Sequence, residues 1–331
     1  MMVTAMNVKE LIHYATLAPS GHNTQPWKFS IDDNVIRVIP DFERRLPVVD
    51  PDDHALYISL GCALENLMIA AKRHGLSSTI DYFPPDEKSE CLRITLSPNG
   101  DPGDEDLFDA IHVRQSNRSL YDKNEIPEGH IHKLIESNIF DTVFLKSFDP
   151  NKQASEPIIN LVKEANRIQF NDRQFVEELL SWIRFTKKEM NNRKDGLTAE
   201  VMGFPFVPRW LGRLILKTFA KPESEASKSE KQIRSSSLLM LFISKKHDKR
   251  HWVDLGRSFE RVALTATSLG LAHAHLNMPC EVESVRNKLS SHLELDHDKQ
   301  PLLFIRFGYA EERPRSPRRP AEEVIMQSDT R

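Results

Sequence analysis

GCALENLMIAAKRHGL, residues 61–76, comes back later in the chain as GRSFERVALTATSLGL, residues 256–271. Aligned without a gap, Gly61 falls on Gly256, Glu65 on Glu260 and Ala71 on Ala266, and both stretches close on Gly-Leu. Each reads as a helix. Leu64, Leu67, Met68 and Ala71 share one face of the first, and Phe259, Val262, Ala263 and Ala266 share one face of the second, at the spacing of neighbours on a helix surface. Each closing glycine suits the left-handed residue that ends many helices. After a loop, each leads into a strand-like run, CLRITL at 91–96 and PLLFIRFGY at 301–309. Amphipathic helices can resemble each other by chance, so the flanking order has to decide.

That order repeats as well. A helix at 7–18 precedes strands at 27–31 and 35–40, with Asp32-Asp33-Asn34 as a hairpin turn. In the second half a helix at 127–138 precedes a strand at 141–148. Helices packed on mostly antiparallel sheets make an α+β fold. Two tandem units in one chain, 1–108 and 109–331, would build the pseudo-dimer that a two-fold pair of chains builds otherwise. A cleft between such halves is a natural ligand site.

The second half carries an insertion at about 151–237. It reads as one long helix at 156–193, an aromatic stretch at 195–219, and a polar run at 220–232 expected to be a solvated linker or mobile loop. The aromatic stretch could be a lid over a planar ligand or a packing or dimer surface. VPRWLGRLILKTFAK within it also has a basic, amphipathic look, which leaves a membrane-surface helix as a minor alternative.

The bulk properties narrow the class. The chain has 331 residues, 39% apolar and 28% charged, with a net charge of −3. No basic field advertises nucleic acid. The three cysteines lie far apart without a CxxC pair, which argues against a disulfide framework or zinc ribbon. The N-terminus does not read as a signal peptide, and no stretch is expected to approach the apolar length needed to span a bilayer. A cytoplasmic protein without nucleic-acid or membrane partners is expected, as a monomer or homodimer.

Two segments carry candidate chemistry. In IHVRQSNRSLYD (111–122), Arg114, Ser116 and Arg118 alternate, so an extended backbone points them one way. Two guanidinium forks flanking a hydroxyl match a phosphomonoester. A second basic cluster, Arg315, Arg318 and Arg319, sits among prolines after the last strand. LAPSGHNTQPW (17–27) sets Ser, Asn, Thr and Gln between two prolines, which means either a plain turn or a cradle for a ligand with many polar edges. GxGxxG, GxxxxGK[ST] and GxSxG are absent. His273, His275, His292 and His297 do not match a metal spacing and are taken as structural, so no metal is expected.

APSGHNTQPW, RQSNRSLY and the C-terminal GLAHAHLNMPCEVESVRNKL with FIRFGYAEERPRSPRRPAEEV together resemble the nitroreductase family of FMN flavoproteins. DFERRLPVVDP (41–51) and GRSFERVALTATSLGLA resemble its duplicated, single-chain branch. The resemblance runs from about 7 to 324 and is weakest across the insertion. It implies a nitroreductase-like fold with FMN between the units. It also implies ping-pong hydride transfer from NAD(P)H to a nitroaromatic, quinone or related acceptor, the flavin rather than a side chain doing the chemistry. By position, Arg114, Ser116 and Arg118, with Arg318 or Arg319, would hold the FMN phosphate. Pro19, Ser20, Gly21, Asn23 and Gln25 would line its ring and ribityl chain. Leu276, Asn277 and Met278 would lie beside the reactive edge of the ring. Only the second half keeps the Arg-x-Ser-x-Arg segment, so one FMN per chain is expected. Some members of the branch bind flavin under a closed lid, which leaves an FMN-sequestering protein as the alternative reading.

Overall fold

The computed structural model describes residues 5–326; residues 1–4 of the stretch read for a targeting signal lie outside them. The first unit starts with α1 (Ala5–Thr16), the hairpin β1 (Trp27–Asp32) and β2 (Val35–Pro40), and α2 (His54–Arg73). β3 (Leu76–Tyr82) and β4 (Leu92–Pro98) complete an antiparallel sheet in the order β1-β2-β4-β3. Alternate residues of these strands, among them Trp27, Phe29, Ile36, Val38, Leu92 and Ile94, point into the core, the period-two pattern of a sheet covered on one side.

The second unit is entered through α3 (Glu105–Val113) and opens with α4 (Glu128–Glu136) and β5 (Val143–Phe148). Five helices follow: α5 (Glu156–Asn171), α6 (Arg173–Trp182), α7 (Lys187–Arg193), α8 (Arg209–Phe219) and α9 (Pro222–Arg234). A short parallel pair, β6 (Ile183–Arg184) and β7 (Leu197–Thr198), lies among them. Then come β8 (Leu238–Ser244), α10 (Lys249–Ser268), β9 (Ala272–His275) and β10 (Gln300–Gly308), giving the sheet order β5-β8-β10-β9. The two orders correspond strand for strand: β1 with β5, β2 with β8, β4 with β10 and β3 with β9. Where the first unit has the short Asp33-Asn34 turn, the second has the whole helical insertion.

α2 and α10 cross at their aligned glycines. A Cβ on Gly61 would come within 2.1 Å of the Val253 carbonyl oxygen, and one on Gly256 within 2.0 Å of the Ile58 carbonyl oxygen. Val253 precedes Gly256 by three residues, as Ile58 precedes Gly61. The contact is therefore reciprocal, as in a two-fold interface, although both partners belong to one chain. The next turn keeps the symmetry and changes the chemistry. Glu65 accepts from Arg257 at 2.8 Å and Arg261 at 2.9 Å, whereas its counterpart Glu260 has Cys62 and Asn66 in the equivalent places.

Three expectations are corrected. The helix read at 156–193 is broken into α5, α6 and α7. Asp172 caps α6 by accepting from the Gln174 N–H at 2.8 Å, and Thr186 with Glu189 forms a capping box on α7; each cap starts a new helix where the old one would continue. The polar run at 220–232 is not a mobile linker: α9 occupies it, with Pro222 in its first turn. Ala226 and Ile233 are buried there, and Asn166 donates to Ser229 at 2.9 Å. Lastly, α2 is long and apolar enough to cross a bilayer, but it is the buried central helix of the fold.

Candidate functional site

The loop after α1 holds a tight, partly strained turn. His22, Asn23 and Gln25 all have positive φ, at 46°, 55° and 54°, a region that L side chains rarely adopt. The Ser20 hydroxyl accepts from the Gln25 N–H at 2.9 Å and steadies it. The polar side chains of the loop reach two distant segments. Asn23 donates to the carbonyls of Gly196 at 3.0 Å and Pro317 at 3.1 Å. Gln25 donates to Lys194 O at 2.8 Å and accepts from the Arg319 N–H at 2.8 Å. The loop thus ties together the insertion and the C-terminal tail.

Across from it, the chain leaves α3 in an extended course. Ser116 bridges to His273 beside β9, and the Asn117 N–H donates to His273 O at 2.8 Å. This edge pairing holds Arg114, Ser116 and Arg118 on one side, where all three line one cavity. Pro19, Ser20 and Asn23 line it from the first unit, and Arg315 and Arg318 from the tail. Leu197 and Val201 of the insertion close one wall. Arg118, Ser20, Pro19 and His275 also border an inner chamber, which reaches Gly21, His22, Cys62, Phe259 and Asn277.

The charge balance is uneven. Arg114 is buried and meets the buried Glu260, Nε to Oε1, at 3.2 Å, and donates to Leu17 O at 2.9 Å. Arg318 donates only to backbone carbonyls, among them Ala18 O at 3.2 Å. Neither Arg118 nor Arg318 forms an ion pair among the described residues. Burial, with the Arg114 charge beside it, lowers Arg318 to about 9, and burial also lowers Arg118. Burial pushes Glu260 up to about 7 against the pull of Arg114 and Arg318. Of three guanidiniums in this sheltered place, only Arg114 therefore has a carboxylate partner among the described residues. Unpaired buried cations are costly unless an anion arrives. By burial and by the nearby arginines, His275 is lowered to about 3 and His22 to about 4. Both rings are neutral near pH 7 and offer one donor and one acceptor each.

Four expected contacts fall elsewhere. Gln25 is fully buried as a clamp on Lys194 and Arg319 and borders neither chamber. The Arg319 guanidinium turns away and donates to Glu323 O at 3.0 Å. Leu276 spends its N–H on Phe304 O at 2.7 Å and packs in the core behind the site. Met278 packs there too, so only Asn277 of that triplet borders the inner chamber. Conversely, His275 and Cys62 border the chambers although nothing in their spacing marked them. Cys62 was legible in one way: the repeat aligns it with Arg257, a small side chain against a large one.

The wall that carries Leu197 is pinned by Asp195. It bonds Arg184 at 2.7 Å, Arg193 at 3.4 Å and Arg44 across the unit boundary. Burial alone would raise its pKa; Arg184 and Arg44 outweigh it and hold Asp195 below the ordinary aspartate range. Its contribution is thus complete above pH about 4 and is lost as pH falls through the lowered folded value. Asp195→Ala strands the buried Arg184. It is expected to destabilise the protein by about 3–5 kcal/mol, read as a lower midpoint in urea at pH 7, with a shallower decline on acidification than the wild type shows.

No family model matches the chain. A Mycobacterium tuberculosis protein named as an NAD(P)H nitroreductase, Rv3131, is 24% identical over 97% of this chain and 91% of its own length. The acg protein of the same organism, also named as an NAD(P)H nitroreductase, is 23% identical over 98% and 96%. Among solved structures, the FMN-dependent nitroreductase NfnB of Mycobacterium smegmatis in complex with NADPH aligns with a TM-score of 0.45 at 14% identity, over 68% of this chain and 98% of that one. The chain is thus similar, over nearly its whole length, to proteins named as NAD(P)H nitroreductases. In both the Rv3131 and the acg protein the similarity spans more than nine-tenths of each chain.

Proposed function

We propose that the chain is an FMN-dependent NAD(P)H oxidoreductase that binds one FMN in the seam between its units. The observation that carries this reading is the sheltered trio of Arg114, Arg118 and Arg318 set against a single carboxylate. A net double positive charge with forked donors suits a phosphate dianion. FMN held there would supply the hydride chemistry between NAD(P)H and a nitroaromatic, quinone or related acceptor in two separate half-reactions. The chain's own residues bind and orient. Ser116 adds a hydroxyl donor beside the arginines. Asn23 Oδ1 and His22 Nδ1, both buried without a partner, offer polar edges to the ring and ribityl chain. Asn277 stands at the inner chamber with its side-chain oxygen already held by the Phe304 N–H at 3.0 Å. The cytoplasm, where reduced nicotinamides are plentiful, is the expected place of action.

The residues aligned with the inner chamber's by the repeat support one site rather than two. Arg257, the counterpart of Cys62, lies 4.8 Å over the Phe140 ring and donates to the Tyr82 hydroxyl at 2.9 Å. Tyr82 in turn donates to Asp254 at 2.8 Å. Where a thiol leaves a chamber, a guanidinium occupies it. The purified protein is therefore expected to be yellow, to release one FMN per chain, and to bleach when NAD(P)H is added without oxygen. A colourless protein that rejects added FMN overturns the reading. A yellow protein that NAD(P)H cannot bleach selects the second reading, an FMN-sequestering protein. The anchoring of the Leu197 wall by Asp195 and by the Gly196 N–H to Asn23 O bond at 3.0 Å favours that alternative over one without a lid.

A further inference from the structure

α8 is apolar on both sides. Its inner side packs: Gly212 sits against the Phe185 ring, and Leu216 joins the cluster of Leu180, Ile183 and Phe185. Its outer side is uncovered. Trp210 is 69% exposed, Leu214 56%, Ile215 40% and Phe219 69%. The pairs 210/214 and 215/219 follow the i, i+4 spacing, so these side chains adjoin on the outward half of the helix. Four of the twelve exposed large apolar side chains among the described residues lie in this one helix. A contiguous apolar patch of that kind marks an interaction surface rather than scatter.

The charges around the patch are of one sign. No Asp or Glu occurs between Val201 and Lys221, whereas Arg209, Arg213, Lys217 and Lys221 do. Arg209 is answered by Glu189, and Arg213 and Lys217 by Glu177. Lys221 and, on neighbouring α7, Lys187 and Lys188 are exposed and form no ion pair among the described residues. A second copy packed face to face would set these cations against their own duplicates, a repulsive arrangement. An anionic lipid surface answers both features, burying the apolar half at headgroup depth while the lysines meet lipid phosphates. Tryptophan is also suited to that boundary.

We propose that α8 docks the protein reversibly on an anionic phospholipid bilayer. This departs from the expectation of no membrane partner, because the amphipathic pattern at 207–221 was open to a packed or lid role until the outer half of the helix proved uncovered. The docked segment continues the one whose Leu197 and Val201 wall the cavity.

Flotation with phosphatidylcholine vesicles, with and without phosphatidylglycerol, tests this on the full-length protein. The wild type is expected to float with phosphatidylglycerol vesicles and to dissociate as salt rises. Leu214→Glu with Phe219→Glu is expected to lower the partition coefficient by at least about tenfold. Lys187→Gln, Lys188→Gln and Lys221→Gln together should remove the phosphatidylglycerol preference. Both sites are exposed, and an unchanged thermal midpoint certifies the fold of each variant. Three results overturn the proposal: a wild type that stays off phosphatidylglycerol vesicles, a folded Leu214→Glu/Phe219→Glu variant that floats like the wild type, or a wild-type dimer that this variant splits, which would make a second copy the occupant.

Discussion

Arg118→Ala combined with Arg318→Ala is expected to weaken FMN binding by about two to four orders of magnitude, since each charge-assisted contact contributes about 1.5–3 kcal/mol. These two are chosen because neither has a carboxylate partner among the described residues. Arg114→Ala would also strand the buried Glu260, and so mix a folding defect with a binding defect. The double variant should show the opposite balance. Without ligand it loses two poorly compensated, sheltered charges, so its thermal midpoint without FMN should hold or rise while its affinity collapses. Arg319→Ala, whose guanidinium faces Glu323, should bind FMN nearly as the wild type does. Quenching of flavin fluorescence on titration reads all three. A double variant whose titration superimposes on the wild type would remove the phosphate from this corner of the seam.

The second large effect concerns the fold. Gly256→Val is expected to destabilise the protein by on the order of 4 kcal/mol or more, among the severe class of single substitutions. Its Cβ would stand 2.0 Å from the Ile58 carbonyl oxygen. That oxygen is backbone within a buried helix and cannot swing aside, so α2 and α10 would have to separate along the contact that joins the two units. Gly61→Val should behave alike, because its Cβ would meet Val253 O at 2.1 Å. Gly129→Ala is the control. Nothing lies within 4 Å of its Cβ position, and in the first turn of α4 the change should be neutral or stabilising by up to about 1 kcal/mol. Urea midpoints compare the three. If Gly256→Val unfolded at the wild-type midpoint, the helix crossing would not be the structural centre argued above.

Much of this was legible in the residue pattern, and the misses have physical causes. The repeat at 61–76 and 256–271 located the two central helices, because close helix contact requires glycine at the crossing and apolar residues along one face. The first-unit hairpin was plain from alternating apolar residues around Asp33-Asn34. The strand at 238–244 was not distinguished: Leu238, Met240 and Phe242 face the main core while Leu239, Leu241 and Ile243 face a second cluster under the insertion. Burial on both sides erases the alternation that identifies a strand. α9 was hidden for the opposite reason. Its sequence is almost wholly polar, and it is held by side-chain pairs to α5, such as Arg167 with Glu223 at 2.7 Å, that no local pattern shows.

At the site the same division holds. Alternation along an extended segment was enough to put Arg114, Ser116 and Arg118 on one side, because side-chain direction in such a segment depends on backbone geometry alone. The chain order also marked the place of the insertion, inside the second half of the chain after β5. Which polar residues face the cavity was decided only by tertiary structure. Gln25 and Arg319 have the right chemistry and neighbouring positions, yet each is taken up by a partner far away in sequence. His275 enters the site because β9 pairs with β10 and ends at the seam. Local sequence governs conformation and periodicity; which donors are left without a partner depends on everything folded around them, and that remainder is what makes a binding site.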